Sequence, residues 1–378
     1  MEMKKRKLKA GKEKFIPWAK PVFRKNEIKY VTEALNSTWI SGGPNVNKLE
    51  NNFCELFEKK HSLAVSNGTS AIHLAYLGLC LRPGDEVIVP GFAFMAAANI
   101  ALHMNLKPVF AEIDTDTWCL SVKSLEKYIT KKTKAIVAVH TYGNVCSMNE
   151  IMQIASNYSI PVIEDCAESI FSKYENKYCG TFGKISTFSF HATKTITTGE
   201  GGLLITDEDE MYNKMVLYRS HGMNRSKQFY MHDLPGHNFR LTNLQAAIGV
   251  AQLEKKHDIL KDRKRVYEKY KKYLGKTEGI SLQKIEKEVE PVIWAVALKL
   301  DEVIFKQGRD SAIGQLEQAG IETRPGFYSS PQLKIYEPHS LPVAQEVSKS
   351  VISLPSFPSL PNEDIEFICE QLLKLRNV

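Results

Sequence analysis

The sequence predicts an α/β protein, with a large domain built on a mainly parallel sheet and a smaller C-terminal α+β domain. Short, unbroken apolar segments such as residues 135–139 alternate with segments of helical periodicity. This alternation is typical of a parallel sheet covered on both faces. From about His257 it gives way to a long charged segment and then a Pro-rich one. We therefore divide the 378 residues into a basic tail and arm (1–25), a large domain (26–257) and a small domain (258–378).

The spacing of apolar residues predicts the individual elements in chain order. Strands are expected at residues 61–65, 86–89, 108–110, 135–139, 161–163 and 203–205. Helices are expected at residues 26–35, 69–79, 95–103 and 149–156. Residues 255–273 read as a highly charged helix, interpreted as a surface connector, and further helices are expected near 311–318 and from Asp364.

Composition excludes several classes of protein. The chain is 43% hydrophobic and 25% charged, as globular proteins are, and no apolar run reaches the roughly 18 residues of a membrane span. The net charge is +7, but residues 1–14 hold seven basic and two acidic residues, so the remainder is nearly neutral. We interpret this tail as solvated; the alternative is a tether to nucleic acid or to a membrane surface. No aromatic residues interleave with its basic ones, so a nucleic-acid partner is not predicted.

The seven cysteines form no C-x-x-C motif, and most lie in apolar contexts such as Leu79-Cys80-Leu81. This pattern predicts buried free thiols, without disulfides or zinc, in a reducing compartment such as the cytoplasm. Because no H-E-x-x-H or similarly spaced ligand set is present, no metal site is predicted.

Four features follow predicted strands, where ligands bind in such sheets. Residues 66–70 form a small-residue turn into a helix, which suits a phosphate but also an ordinary helix cap. The aromatic pair Phe92 and Phe94 is either the floor of a flat ligand or core packing. Asp165, at the end of a buried strand, is a helix cap, a metal ligand or the counter-charge of a protonated ring nitrogen. Lys194 lies between an aromatic strand and the glycine loop 199–202, a setting that favours a buried nucleophilic amine.

Together these features match the requirements of pyridoxal phosphate. Its phosphate needs a cradle, its ring a stacking partner, its pyridine nitrogen a carboxylate and its aldehyde an amine. A carboxylate that keeps the ring nitrogen protonated makes the cofactor an electron sink.

With these residues in place, the chain resembles the DegT/DnrJ/EryC1/StrS sugar aminotransferases, within the aspartate-aminotransferase-like fold (fold type I). The resemblance runs from about Pro17 to the C-terminus. Its motifs are residues 39–44 (Trp-Ile-Ser-Gly-Gly-Pro), 66–69 (Ser-Asn-Gly-Thr), 164–168 (Glu-Asp-Cys-Ala-Glu), 188–202 and 236–243.

The resemblance implies roles for single residues around the cofactor. Lys194 would form the Schiff base and then act as general base, and Asp165 would pair with the pyridine nitrogen. Phe94 would stack on the ring, and Glu168 would lie near the ring hydroxyl. The residues implied to hold the phosphate are Gly68, Thr69 and Ser189, together with Asn238 of the partner subunit in a homodimer with shared active sites.

The resemblance also implies substrate contacts, at Ser41 and Gly42, at Arg240 and at Arg324. Two departures bear on it. Where relatives usually continue with a His-x-x-Pro element, this chain has Ser329-Ser330-Pro331-Gln332-Leu333, which leaves the nucleotide and the sugar stereochemistry open. Glu168 stands where many relatives have Gln or His.

Comparison of branches favours amination at carbon 4. Related 3-dehydratases carry His at the Schiff-base position, which is Lys194 here. The 3-aminating branch tends to show Gly-Asp-Gly-Gly where residues 199–202 read Gly-Glu-Gly-Gly. Residues 232–243 are similar to perosamine synthases. A 3-keto sugar aminotransferase and a pyridoxal-phosphate-dependent sugar dehydratase remain the alternatives, and a non-enzymatic regulatory relative is disfavoured by Lys194 and Asp165.

The resemblance thus implies a homodimeric, cytoplasmic aminotransferase of deoxyamino sugar and polysaccharide biosynthesis. It would move an amino group from L-glutamate, through the pyridoxamine phosphate form, to carbon 4 of a nucleotide-linked 4-keto-6-deoxy sugar.

Overall fold

The computed structural model describes residues 14–224, 228 and 230–376. The basic segment before Lys14, on which the tail prediction rests, lies outside the described residues. The strands are β1 (His61–Val65), β2 (Glu86–Pro90), β3 (Lys107–Ala111), β4 (Thr133–Val139), β5 (Val162–Asp165), β6 (Lys173–Tyr174), β7 (Lys177–Tyr178), β8 (Ile185–Ser189), β9 (Gly202–Thr206), β10 (Ile280–Leu282), β11 (Val289–Glu290), β12 (Val296–Leu300), β13 (Arg324–Pro325) and β14 (Val351–Leu354).

The helices alternate with these strands in the first half of the chain and cluster in the second. They are α1 (Asn26–Asn36), α2 (Pro44–Phe57), α3 (Gly68–Gly78), α4 (Ala96–His103), α5 (Val122–Leu125), α6 (Met148–Asn157), α7 (Asp209–Arg219), α8 (Asn243–Glu254), α9 (Lys256–Leu274), α10 (Gly308–Gln318), α11 (Pro342–Ser350) and α12 (Asn362–Leu373).

The main sheet has the strand order β1-β9-β8-β5-β4-β2-β3. The strands from β8 to β3 pair in parallel, whereas β9 runs antiparallel to both of its neighbours. The prediction of an α/β fold with a mainly parallel sheet is confirmed. Because β9 runs the other way, its first residue lies at the edge where the parallel strands end.

Each face of this sheet carries its own apolar core. Along β1, Leu63 and Val65 pack into one core while Ala64 packs into the other, and the strands β2 and β4 divide in the same way. This two-residue alternation shows that helices cover both faces, which explains the unbroken apolar strands of the sequence.

A second sheet, with the order β10-β12-β14-β13, lies in the C-terminal part, and β11, β6 and β7 form a third. The N-terminal arm joins the C-terminal part, because the N–H of Ile16 donates to the carbonyl of Gly320 at 2.9 Å. A separate apolar core includes Ile16 and residues of α9, β12, β14 and α12. The domain boundaries given above stay a prediction.

Helix α9 differs from its interpretation as a surface connector. One face of the helix is buried, through Ile259, Arg263, Val266, Tyr270 and Leu274. The spacing of three and four residues is that of an amphipathic helix. Charged residues on the other faces conceal this pattern in the composition.

The cysteines also differ in part from their prediction. All seven are free, and five are buried, but Cys54 is half-buried and Cys80 is exposed. Cys80 lies just after α3 with a positive φ of 57°, which turns it out of the apolar context of its neighbours. Among the helices of the described residues, none combines the length and apolar character needed to cross a membrane.

Candidate active site

The carboxyl edge of the main sheet collects the chemistry-bearing residues. Asp165 is the last residue of β5 and Ser189 the last of β8, and the turn into α3 follows β1 directly. Gly202, the first residue of β9, pairs with both Val65 and Ser189. Parallel strand ends and one antiparallel strand start therefore meet at a single place.

The turn before α3 has the form of a phosphate cradle. Asn67 caps the helix, since its side-chain oxygen accepts the N–H of Ser70 at 2.8 Å. The backbone packs so closely that a Cβ on Gly68 would meet the Ser189 Cβ at 2.9 Å. A Cβ on Gly202 would lie 2.5 Å from the carbonyl of Asn67. Asn67 accepts the N–H groups of Ser70 and Ala71, so the N–H groups of Gly68 and Thr69 are the ones that this eleven-residue helix can offer to an anion.

Lys194 faces two carboxylates at the same edge. Its Nζ lies 3.5 Å from Oε1 of Glu168, and both side chains are largely buried, with exposed fractions of 12% and 4%. The backbone N–H of Tyr142 donates to Oε2 of Glu168 at 2.8 Å. Asp165 accepts the N–H of Ala167 at 3.1 Å. The sequence predicted this lysine and these carboxylates, and the structure brings them together.

Burial governs the protonation of this group. Desolvation lowers the pKa of the Lys194 amine, against the opposing effect of Glu168 and Asp165. Desolvation likewise raises the pKa of Glu168 and of Asp165, against the opposing charge of Lys194. The pKa values of the amine and of the two carboxyl groups therefore move toward one another. For this reason a proton on Nζ is easier to remove than a proton on a solvated lysine.

The aromatic pair predicted after β2 divides between core and surface. Phe92 is fully buried, whereas Phe94 is 64% exposed. The Phe94 ring lies edge-on to Phe327, with centroids 6.3 Å apart. Phe327 in turn stacks on Tyr142 at 5.0 Å and an interplanar angle of 3°. Phe94 therefore presents an exposed ring that is linked to Glu168 through Phe327 and Tyr142, while Phe92 packs in the core.

Sequence reasoning missed Trp294. Its ring lies over Lys194, with Nζ 3.7 Å from the centroid, and its indole N–H donates to the carbonyl of Thr193 at 2.8 Å. The only signal in the sequence is an aromatic residue within the apolar segment 291–298, which core packing explains equally well.

The predicted substrate residues lie farther out. Ser41 and Gly42 are exposed, and the carbonyl of Ser41 accepts the N–H of Asn243 at 2.6 Å. Arg240 forms an isolated β-bridge with Val65, just before the cradle, and Asn238 forms one with Ser220. The structure thus brings Arg240 to the cradle and leaves Ser41, Gly42 and Asn238 at the surface.

Arg324 lies on β13 and pairs with Glu322, at 2.7 Å between Nη2 and Oε1. Its guanidinium lies 5.9 Å from the centroid of Trp18, and Trp18 packs edge-on against Trp294 at 5.6 Å. Contacts through Trp18 and Trp294 therefore link Arg324 to Lys194.

The loop that departs from the relatives' motif is internally bonded. Ser329 and Gln332 cap a short helical turn. The hydroxyl of Ser330 lies 2.8 Å from Nε2 of His339, and its N–H donates to the carbonyl of Gly91 at 2.8 Å. The loop thus supports the segment that carries Phe94.

A buried cluster next to the site brings His140, Cys166 and Cys179 together, with potential ligand atoms within 4.8 Å of one another. Both ring nitrogens of His140 already have partners. Nε2 lies 3.2 Å from Glu164, and Nδ1 accepts the N–H of Cys146 at 3.2 Å. Because both ring nitrogens are already held in hydrogen bonds, the imidazole offers no free lone pair to a metal, and the cluster is interpreted as a hydrogen-bonded part of the core.

The model of the DegT/DnrJ/EryC1/StrS aminotransferase family matches residues 21–373. The chain belongs to this family. A GDP-perosamine synthase of Escherichia coli O157:H7 is 41% identical to it, over 95% of the chain and 98% of that enzyme. A GDP-perosamine synthase of Vibrio cholerae is 38% identical, over 94% and 97%. The resemblance predicted from the sequence motifs is confirmed.

Solved structures of similar proteins agree. Helicobacter pylori PseC, an aminotransferase involved in the biosynthesis of pseudoaminic acid, superimposes with a TM-score of 0.91 at 29% identity, covering 96% of the chain and 99% of PseC. An E. coli GDP-4-keto-6-deoxy-D-mannose-3-dehydratase with bound hydrated PLP has a TM-score of 0.88 at 26% identity, covering 94% and 99%. The protein is a pyridoxal-phosphate-dependent aminotransferase of fold type I, which confirms the predicted fold, enzyme class and cofactor.

The residues present fit this cofactor. The glycine turn at the N-terminus of α3 suits a phosphate, because helix N-termini favour anions and the close packing at Gly68 and Gly202 admits no side chain there. Asp165 offers a buried carboxylate and Lys194 a buried amine at the same edge. The roles of the single residues stay predictions.

Proposed function

We propose that this aminotransferase moves an amino group from L-glutamate to carbon 4 of a GDP-linked 4-keto-6-deoxy sugar. The observation that carries the chemistry is the buried Lys194 amine, 3.5 Å from Glu168 at the carboxyl edge of the sheet. The GDP-perosamine synthases with up to 41% identity support the substrate class and the nucleotide. L-Glutamate is proposed as the amino donor because of the family resemblance.

When bound, pyridoxal phosphate supplies an electron sink that makes a proton next to nitrogen labile. Lys194 would carry that proton on Nζ, which is the task of a general base with a lowered pKa. Asp165 would hold a positive charge on the ring nitrogen. At the end of a buried strand its carboxylate acts in a low dielectric, where charge interactions are strong.

The remaining residues would bind and orient. Gly68, Thr69 and Ser189 would hold the phosphate at the N-terminus of α3, where backbone N–H groups and the helix dipole favour an anion. The N–H of Tyr142 keeps Glu168 turned toward Lys194. Phe94, whose ring is exposed, would cover one face of the cofactor ring.

The proposal includes a homodimer in which Asn238 of the partner subunit reaches the phosphate. Exposed apolar side chains support it, because Trp39 is 63% and Ile40 49% exposed directly before Ser41 and Gly42. Apolar surface beside an incomplete site fits an interface between subunits. Free cysteines throughout the chain support the cytoplasm as its location.

A substrate panel tests this function. Purified enzyme and L-glutamate are mixed with the GDP-, UDP- and dTDP-linked 4-keto-6-deoxy sugars, and 2-oxoglutarate and the sugar product are followed together. We expect one amino sugar per 2-oxoglutarate, the nitrogen on carbon 4 by NMR, and the highest kcat/KM with GDP. No 2-oxoglutarate with any of the 4-keto sugars, or a deoxygenated keto sugar without nitrogen, would replace the proposal with one of its alternatives.

A further inference from the structure

Arg263 is a buried arginine with an unusual set of partners. It lies on the inner face of α9, 5% exposed. Its guanidinium donates to three backbone carbonyls, of Trp294 at 2.8 Å, Lys194 at 3.1 Å and Ser356 at 3.4 Å. Burial alone lowers its pKa, to about 10, so within the described residues no carboxylate offsets its charge. Burying such a cation costs free energy, which calls for a compensating role.

Two of these carbonyls connect Arg263 to the reacting amine. Arg263 holds the main chain of Lys194 and that of Trp294 at the same time. Trp294 also contacts the lysine segment, since its indole N–H donates to the carbonyl of Thr193, the residue before Lys194. Consecutive carbonyls of the lysine segment are therefore fixed by side chains from two distant parts of the chain.

The Trp294 ring is held in a single orientation. Its backbone N–H donates to the carbonyl of Tyr142 at 3.0 Å. The ring of Tyr142 stacks on the Trp294 ring at an interplanar angle of 12°, and the Trp18 ring packs against the Trp294 ring edge-on. The Lys194 ammonium lies over the indole ring, with Nζ 3.7 Å from the ring centroid, well within the range of a cation–π contact.

We propose that Arg263 and Trp294 are positioning residues for Lys194. Arg263 ties the two main chains together, and the indole face of Trp294 receives the Lys194 amine whenever that amine is not bonded to the cofactor. The amine would then stay close to Glu168 instead of moving into solvent. This inference rests on the proposed function, because it concerns the amine to which that function assigns the proton transfer.

The test measures Lys194 directly. The full-length chain without cofactor is labelled with trace acetic anhydride across a pH series, and modification of Lys194 is followed by peptide mapping. The midpoint should move down in Trp294→Leu, because the ammonium loses its aromatic face. In Arg263→Gln it should move up, because a nearby positive charge is removed. Trp294→Phe keeps an aromatic face and should keep the wild-type midpoint.

Opposite shifts distinguish positioning from a general loss of structure, which would move both midpoints in one direction. Unchanged midpoints, or shifts in the same direction, overturn the inference. If Arg263→Gln does not fold, Arg263→Lys keeps a donor and a charge, and it should retain the wild-type midpoint; a midpoint that moves down in this variant also overturns the inference.

Kinetics supply the second measurement, with a matched control. Arg263→Gln and Trp294→Leu should lower kcat about tenfold, the cost of misplacing a reacting group, and leave KM within about twofold. Arg265 lies on the same helix and also donates to carbonyls, of Pro358 and Leu360 at 2.9 Å, but not to Lys194. Arg265→Gln should leave both kcat and the labelling midpoint unchanged. A loss in Arg265→Gln equal to that in Arg263→Gln would overturn the inference.

Failure of the proposed function gives a different result. Borohydride reduction of the wild-type holoenzyme should attach the cofactor to Lys194. A label on another lysine would contradict the proposed function. A label on Lys194 together with unshifted labelling midpoints would contradict only the positioning role of Arg263 and Trp294.

Discussion

The candidate site has an inner part and an outer part that differ in their surroundings. The inner part is Asp165, Glu168 and Lys194, which are largely buried and which interact with one another. The outer part is formed by residues that are exposed in the single chain, namely Ser41, Gly42, Thr69, Phe94, Asn238 and Arg324. The inner part is assembled within one chain, and the outer part is exposed surface of that chain.

This difference matters because electrostatic effects depend on solvent. A charge in the inner part acts in a low dielectric and shifts its neighbours' pKa values, whereas a charge such as Arg324 is screened. Changes to the inner part should therefore affect the chemical step, and changes to the outer part should affect binding and assembly.

The largest effect is expected from Lys194→Ala, which removes the amine at the centre of the inner part. We expect turnover to fall by about 10³-fold or more, since no other amine within the described residues lies beside Glu168 and Asp165. The measurement is formation of 2-oxoglutarate from glutamate. Lys184, a surface lysine 3.5 Å from Glu208, gives the control, and Lys184→Ala should retain wild-type turnover. Residual activity of a tenth or more in Lys194→Ala would show that the inner part is not the catalytic group.

The next effect is expected from Asp165→Asn, which keeps the shape of the side chain and removes its charge. Loss of a buried electrostatic partner of the ring nitrogen should lower kcat about 10²-fold, with the fold intact by circular dichroism. Asp209→Asn is the matched control, because the Asp209 side chain is 69% exposed. Near-normal turnover of a folded Asp165→Asn enzyme would contradict the role of Asp165.

The inner part was also the more predictable of the two. Asp165 and Lys194 follow apolar strands, and a charged residue at the end of a buried strand stands out in a sequence. Trp294 was missed because an aromatic residue in an apolar segment has the same appearance whether it packs in the core or contacts an amine. Its role depends on Thr193 and Arg263, which are distant in sequence.

The fold shows a similar division. Strands of the main sheet were predicted closely because both of their faces are buried, whereas α9 was misread because charge on its outer faces hides the buried row from Ile259 to Leu274. Helix α2 was not predicted, although Leu49, Phe53 and Phe57 are buried at helical spacing. Its many Asn and Lys residues lower its helical appearance, and packing against α8 and β1 decides its structure.

A third effect tests whether the outer part is completed by a second chain. Lys194→Ala and Asn238→Ala should each be impaired alone. In a mixed dimer, one site would carry both changes and the other neither, so about a quarter of wild-type activity should return at equal mixing, because half of the dimers are mixed and each holds one intact site. The measurement is turnover against mixing ratio.

The control for this experiment shows that mixed dimers have formed. The two chains carry different affinity tags, and purification through one tag should recover both. Recovery requires that Asn238 act across the interface. Two impaired parents and proven mixed dimers without recovery would place Asn238 in its own chain's site, and so would a monomer that retains cofactor.

The smallest effect compares two glycines, Gly202 in the close-packed turn next to the inner part and Gly42 in the outer part. Neither has a positive φ, so alanine fits the backbone at both, and only the surroundings differ. A Cβ on Gly202 would meet the Asn67 carbonyl at 2.5 Å, whereas nothing lies within 4 Å of a Cβ on Gly42. Gly202→Ala should therefore lower the free energy of unfolding by about 1–3 kcal/mol, the usual cost of overpacking. It should also weaken cofactor binding by at least about tenfold, because the shifted turn loses hydrogen bonds to a charged phosphate.

Gly42→Ala should leave both quantities unchanged and alter only the KM for the nucleotide sugar. Thermal unfolding with and without added cofactor measures both variants. Equal losses of stability and cofactor affinity in the two variants would show that the division into an inner and an outer part does not govern this site.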